Sequence, residues 1–209
     1  MNIKASIKAK TILIILFLSS FLSIAQEFDG GVFAGLVSSQ VDGDQYGGYN
    51  KAGFQVGAFV NRKLTEKWGA QLELKYIGKG SRESDKKTGI IYYRSKLNYV
   101  EMPLLMNYSV DKFTFEGGIA GGVLINSGEE DESGELSIEY TKEFNKIEIS
   151  GVAGFNYHPW DKIYLNFRFS YSLLPIRQNL SDNIPTIYYH QKYSFNNLMS
   201  FAIYYQFQN

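Results

Sequence analysis

The 209-residue chain contains no cysteine, which excludes a disulfide framework, a thiolate metal site and lipidation through a cysteine. It also lacks an excess of charge: 21 Lys and Arg stand against 21 Asp and Glu. A nucleic-acid binder shows a basic excess or stripe, so that class is excluded. Proline is scarce at 4 residues and histidine at 2. No phosphate loop, dinucleotide fingerprint or His-Glu-x-x-His zinc motif occurs. Long apolar runs are missing beyond the N-terminus, so the remaining chain cannot cross a membrane as helices. It could cross only as a closed barrel.

The one apolar run, "TILIILFLSSFLSIA", follows "MNIKASIKAK" with its Lys4, Lys8 and Lys10. Ser23-Ile24-Ala25 places small residues where a signal peptidase reads, so residues 1–25 are expected to be a cleaved signal peptide and residues 26–209 the mature domain. What the mature chain has in abundance is Tyr, Phe and Gly, at 16, 15 and 20 residues. These suit a β protein whose rings sit at an interface and whose glycines let strands bend.

The stretch "DKIYLNFRFSYSLL", Asp161 to Leu174, shows the pattern at its clearest. Ile163, Leu165, Phe167, Phe169, Tyr171 and Leu173 fall on one face; Tyr164, Asn166, Arg168, Ser170 and Ser172 fall on the other. A period of two is a strand. Eight such segments are expected, at about 28–38, 53–62, 67–78, 96–109, 112–126, 145–157, 161–174 and 193–207. Their connections run long, short, long, short, long, short, long. Hairpins alternate ends, so every long loop falls at one end, and the short turns and both termini fall at the other. That is the layout of an eight-stranded antiparallel up-and-down transmembrane barrel, with long loops extracellular and termini periplasmic.

The apolar faces, such as Phe54-Val56-Ala58-Val60 and Val100-Met102-Leu104-Met106, read as a lipid-facing belt. Trp68, Tyr108, Tyr157, Trp160 and Tyr205 near the short turns, and Tyr76 and Tyr171 nearer the long loops, read as interface aromatics. The opposite faces carry Glu73, Lys75, Glu101, Glu116, Lys146, Glu148 and Arg168, which read as a lumen charge network. An eight-stranded interior is only wide enough to be filled by side chains, so a salt-bridge plug is favoured over a gated pore. A secreted soluble barrel carrying a hydrophobic ligand is the other alternative, with the belt turned inward.

"KAGFQVGAFVNRKLTEKWGAQLELKYIGKGS" followed by "KLNYVEMPLLMNY" resembles the PorT-like outer-membrane β-barrel family. The most specific part is the Leu-x-Tyr-x-Glu-x-Pro-Leu-Leu strand, here Leu97, Tyr99, Glu101, Pro103, Leu104 and Leu105. The Gly-rich "EGGIAGGVL" and the Phe-rich last strand fit as well. The resemblance implies an eight-stranded outer-membrane barrel and little about activity; its namesake is associated with a secretion and gliding apparatus, but most members have no assigned role, so an envelope or secretion-apparatus partner stays an open expectation. One departure is at the C-terminus, where Phe207 is followed by Gln208-Asn209 instead of ending the chain, the position that barrel-assembly machinery reads.

Pro103 lacks an N–H and is expected to interrupt a ladder bond or mark a bulge. The basic loop 79–96 and the acidic loop 127–144 can pair with each other, and the basic one can meet lipopolysaccharide phosphates. The acidic carboxylates Glu129, Glu130, Asp131, Glu132, Glu135, Glu139 and Glu143 match no EF-hand, so no metal or cofactor is assigned. His158 in a short turn, and His190 with Asp182 in the last long loop, give catalysis little support. The expectation is a non-enzymatic envelope protein with a structural or interaction role, in contact with outer-membrane lipid and lipopolysaccharide.

Overall fold

The computed structural model of the protein describes residues 28–44, 46–85, 87–135, 142–178 and 192–207. The expected signal peptide, His190 and Asp182 lie outside the described residues. Among the described residues there are eleven strands: β1 (Phe28–Asp42), β2 (Lys51–Lys63), β3 (Trp68–Lys79), β4 (Arg82–Ser84), β5 (Ile91–Val110), β6 (Phe113–Asp131), β7 (Gly134–Glu135), β8 (Ile147–Tyr157), β9 (Ile163–Ser172), β10 (Arg177–Gln178) and β11 (Tyr193–Gln206). Eight of them close a ring in the order β5-β3-β2-β1-β11-β9-β8-β6, with β6 returning to β5. Every neighbouring pair is antiparallel, and the first and last strands meet along Gly31↔Gln206 to Asp42↔Phe195. Closure removes the sheet edges, which a membrane requires of spanning strands.

The face question is settled by β9. Phe167, Phe169 and Leu173 are exposed and Ile163, Leu165 and Tyr171 half-buried, whereas Tyr164, Asn166, Arg168, Ser170 and Ser172 are buried. The same alternation runs round the ring. Leu36, Phe54, Leu72, Leu74, Met102, Leu104, Phe115, Ile119, Val123, Ile149 and Phe201 all point outward and exposed. Glu73, Lys75, Glu101, Glu116, Glu148 and Arg168 all point inward and buried. A soluble barrel hides its apolar set and wets its charges; this molecule does the reverse.

Three strands outrun the sequence expectation: β1 by four residues, to Asp42, and β5 and β6 by five each. β5 begins at Ile91 instead of near Lys96, and β6 runs to Asp131 instead of near Asn126. Their outer parts continue the β5–β6 hairpin as a two-stranded ribbon beyond the ring, onto which β4 and β7 pair. Charge makes these stretches read as loops. Ile91, Tyr92 and Tyr93 favour a strand nonetheless, and opposite charges face each other across it at Arg94↔Glu130. A bulge marks where the hairpin leaves the ring: Asn98↔Asn126 is followed by Tyr99↔Leu124, so Ile125 is the extra residue. From there the outward positions of β6 change from odd to even numbers.

Pro103 acts as expected, by interrupting a ladder. Pairing of β3 with β5 stops after Leu72↔Leu104 and resumes at Lys75↔Glu101 with the register unchanged. The bulge lies elsewhere, at Ile125 of β6, opposite Asn98 and Tyr99. At the β3–β4 turn, Gly80 has φ +136°, and a Cβ there would meet Ser95 O at 2.1 Å. Only glycine permits that approach, which lets Ser81 N–H donate to Ser95 Oγ at 2.9 Å.

Candidate functional site

The lumen is filled in layers, and Arg168 of β9 holds the central one. Its Nη1 and Nη2 donate to the two oxygens of Glu73 at 2.8 and 2.9 Å, and its Nε donates to Glu116 Oε1 at 2.6 Å. The remaining acceptor capacity is met by Gln71 and Tyr204 on Glu73 Oε1 at 2.7 and 3.0 Å, by Asn156 on Glu116 Oε2 at 3.2 Å and by Asn166 on Glu116 Oε1 at 3.0 Å. Burying charges is tolerable only when they are paired and hydrogen-bonded in this way. Room for the group comes from Gly154, where a Cβ would lie 2.9 Å from Glu116 Oε1 and 2.6 Å from Phe167 O.

The next layer is a chain of lysines and glutamates. Lys75 meets Glu101 at 3.2 Å, Lys79 also pairs with Glu101, and Lys79 meets Glu148 at 3.0 Å. Ser172 and Asn196 donate to Glu148 at 2.7 and 2.9 Å. Lys79 also stands 4.9 Å above the Tyr99 ring. One expected member is absent: Lys146 is exposed and lies just before β8, so it belongs to the loop and not to the lumen. Its even number matches Glu148, but the strand starts too late to turn it inward. Lys79 takes the place assigned to it. The signal was available, because Lys79 continues the odd-numbered row of Gln71, Glu73 and Lys75.

Aromatic and apolar layers lie on either side. Toward the short turns, Phe33 stacks on Tyr204 at 4.4 Å and Tyr204 on Tyr164 at 4.8 Å, with Phe59 beside both. Apart from Tyr164, these inward rings were not legible as lumen residues, since rings on a barrel read first as belt. Below them opens a polar vestibule of about 230 Å³ lined by Asn61, Asn107, Thr114 and His158, among others. His158 Nε2 lies 3.2 Å from Thr114 Oγ1, its ring centroid is 4.6 Å from that of Tyr164, and partial burial lowers its pKa. Toward the long loops, Val37, Val41, Ile77, Leu97, Tyr99, Ile176 and Leu198 form a dry layer. Ile176 reaches it from the segment that follows β9.

The family motif gains a physical meaning here. Leu97, Tyr99, Glu101, Pro103 and Leu105 all face the lumen, and Leu104 faces outward. The row supplies the dry layer, then a carboxylate of the lysine chain, then the ladder gap. It ends at Leu105, which packs with Ala120 and Val152.

The aromatics read as interface residues stand near strand ends or in a turn. Trp68 and Tyr108 pair across β3 and β5 with centroids 4.9 Å apart, and Tyr157 lies 5.2 Å from Phe113. Trp160 and Tyr205 are exposed, Tyr76 tilts against Phe54 at 5.3 Å, and Tyr171 stacks with Phe195 at 6.1 Å. At the long-loop end, Arg94 pairs with Glu130, and Lys96 reaches the same carboxylate at 3.4 Å. The basic and acidic stretches therefore do meet. Glu129 takes Arg177 at 2.7 Å and the Tyr93 hydroxyl. Among the described residues no group of three His, Cys, Asp or Glu side chains could hold a metal ion.

A closed antiparallel ring with an outward apolar belt and a charged, filled lumen defines a membrane β-barrel. The chain belongs to the outer-membrane protein beta-barrel domain family, whose model matches residues 22–178. It is similar in fold to the crystal structure of Neisserial surface protein A, with a TM-score of 0.55 and 9% identity over 85% of this chain and 97% of that one. It is also similar to Ail, the attachment invasion locus protein of Yersinia pestis, with a TM-score of 0.52 and 14% identity over 87% and 99%. Ail in complex with the heparin analogue sucrose octasulfate gives 0.50 and 12% over the same shares. None of the curated proteins matches the chain. The protein is an integral outer-membrane barrel, and the secreted soluble alternative is set aside.

Proposed function

We propose that the protein is a non-enzymatic, closed-lumen barrel that presents its long-loop end to the outside as an interaction surface, with short turns and termini in the periplasm. The observation that carries this reading is the Arg168 layer, where one guanidinium spans the interior between Glu73 of β3 and Glu116 of β6. With the lysine chain and the dry layer above it, three successive barriers lie across the lumen. The outer parts of β5 and β6, with β4 and β7, then stand past the ring as a platform at the membrane surface.

The finer PorT-like assignment, and with it an envelope or secretion-apparatus partner, rests on the row from Leu97 to Leu105. The belt is read as contacting outer-membrane lipid and lipopolysaccharide, and the last strand as the segment the barrel-assembly machinery handles, with Phe207 as its final aromatic. Planar-bilayer recording tests the closed lumen. The expected trace is flat. A steady conductance that changes on neutralising Arg168 or Glu101 would establish the pore alternative instead.

A further inference from the structure

The outer part of β5 carries a charge pattern that the barrel does not need. Arg82 of β4 stands directly opposite Arg94 of β5, and Arg94 stands opposite Glu130 of β6. Like charges placed directly opposite destabilise a sheet. Lys96 lies two residues further along the same face of β5, opposite Gly128. Lys51, the first residue of β2, is within electrostatic reach of Arg82, Arg94 and Lys96. Four cations thus lie near one another, and Glu130 pairs with two of them, Arg94 and Lys96. Arg82 Nε is buried without a hydrogen-bond partner. Beside Lys96 the space is open, since a Cβ on Gly128 would meet nothing within 4 Å.

The position of the cluster selects what fills it. Even-numbered residues of β5 share one face, so Arg94 and Lys96 continue the row of Val100, Met102, Leu104 and Met106 in the belt. At ~3.4 Å per residue, Lys96 stands about 14 Å along the strand from Val100. The cluster is therefore at headgroup height, directly above a surface made for acyl chains. A ligand with several anionic groups and an acyl body fits both features.

We propose that Lys51, Arg82, Arg94 and Lys96 form a site for the phosphate groups of a lipopolysaccharide molecule whose acyl chains lie on Val100, Met102 and Leu104. The site rests on the reading that the long-loop end faces outward. The guanidinium groups supply paired donors and the lysines compact charge. Glu130 holds Arg94 and Lys96 in position and opposes the anion.

The test uses the purified, detergent-folded barrel with lipid A carrying its phosphates and with dephosphorylated lipid A, measured by native mass spectrometry. Binding of the phosphorylated form is expected to fall about tenfold or more in the Arg82→Gln/Lys96→Gln double variant, and to rise in Glu130→Gln. Cold-gel mobility confirms that each variant is folded. Equal binding of dephosphorylated lipid A, or no loss in the double variant, overturns the proposal. So does a sulfated oligosaccharide that binds these residues when lipid A does not. Orientation is read separately, by labelling Ser133→Cys on intact cells with an impermeant maleimide. Lipid A binding without labelling supports the site and overturns the orientation.

Discussion

Arg168 compensates two carboxylates at once, so its removal leaves Glu73 and Glu116 as unpaired buried anions. Arg168→Met is expected to destabilise the barrel by about 3–5 kcal/mol. Combining it with Glu73→Gln and Glu116→Gln should restore most of that loss, because the demand for a cation then disappears. Urea unfolding in detergent micelles measures both. Equal losses in the single and triple variants would mean that packing, not charge, sets the cost. A second residue-scale prediction concerns Asp44, in the loop between β1 and β2. Burial, the largest influence, raises its pKa from 3.8 to about 6, against hydrogen bonds from Ser81 and the Tyr46 N–H, with Arg177 lowering it and Asp42 raising it. The folded loop therefore binds more protons than the unfolded one between those values. Its stability is full at low pH, declines as pH rises through that window and is flat above it. Protease nicking of the loop should be slower near pH 4 than near pH 7, and Asp44→Asn should remove the difference.

Among the elements, β5 concentrates what was legible and what was not. Its alternation put Leu104 in the belt and Glu101 in the lumen, and Leu97, Tyr99, Pro103 and Leu105 share the parity of Glu101 and are buried with it, because a period of two needs no knowledge of the partner strands. Pro103 was legible too, since a missing N–H has only a few places to be tolerated. The strand's outer end was hidden, because Arg94, Lys96, Glu129 and Glu130 read as solvated loop until they are placed across from each other. The exchange of Lys146 for Lys79 has the same origin: parity assigns a face, and only the strand's limits decide whether the rule applies. The gap beside Pro103 gives an element-scale prediction. Pro103→Val restores a donor toward β3, and a net gain of about 0.5–1.5 kcal/mol is expected in the urea midpoint. No gain would show that twist rather than the missing N–H opens the ladder between Leu72↔Leu104 and Lys75↔Glu101.

At the scale of the whole molecule, the polarity of the two faces is the property on which everything else depends. A barrel with a charged interior and an apolar exterior is stable only if hydrocarbon surrounds it, and this makes the cost of an outward charge depend on height. Leu104 is exposed in the middle of the β5 belt, and Val110 is exposed at its short-turn end. Arginine at the first position should cost about 2–4 kcal/mol for folding into vesicles, and at the second about 0–1 kcal/mol, because a charge near the interface stays hydrated. The two variants add the same charge to the same strand and the same face, so strand propensity and net charge cancel in the comparison. Repeating the measurement in thinner bilayers should reduce the difference, as the hydrocarbon edge moves toward Leu104. A soluble barrel with water on this face would show little cost at either position, so equal and small values would return the apolar belt to the category of an unexplained surface.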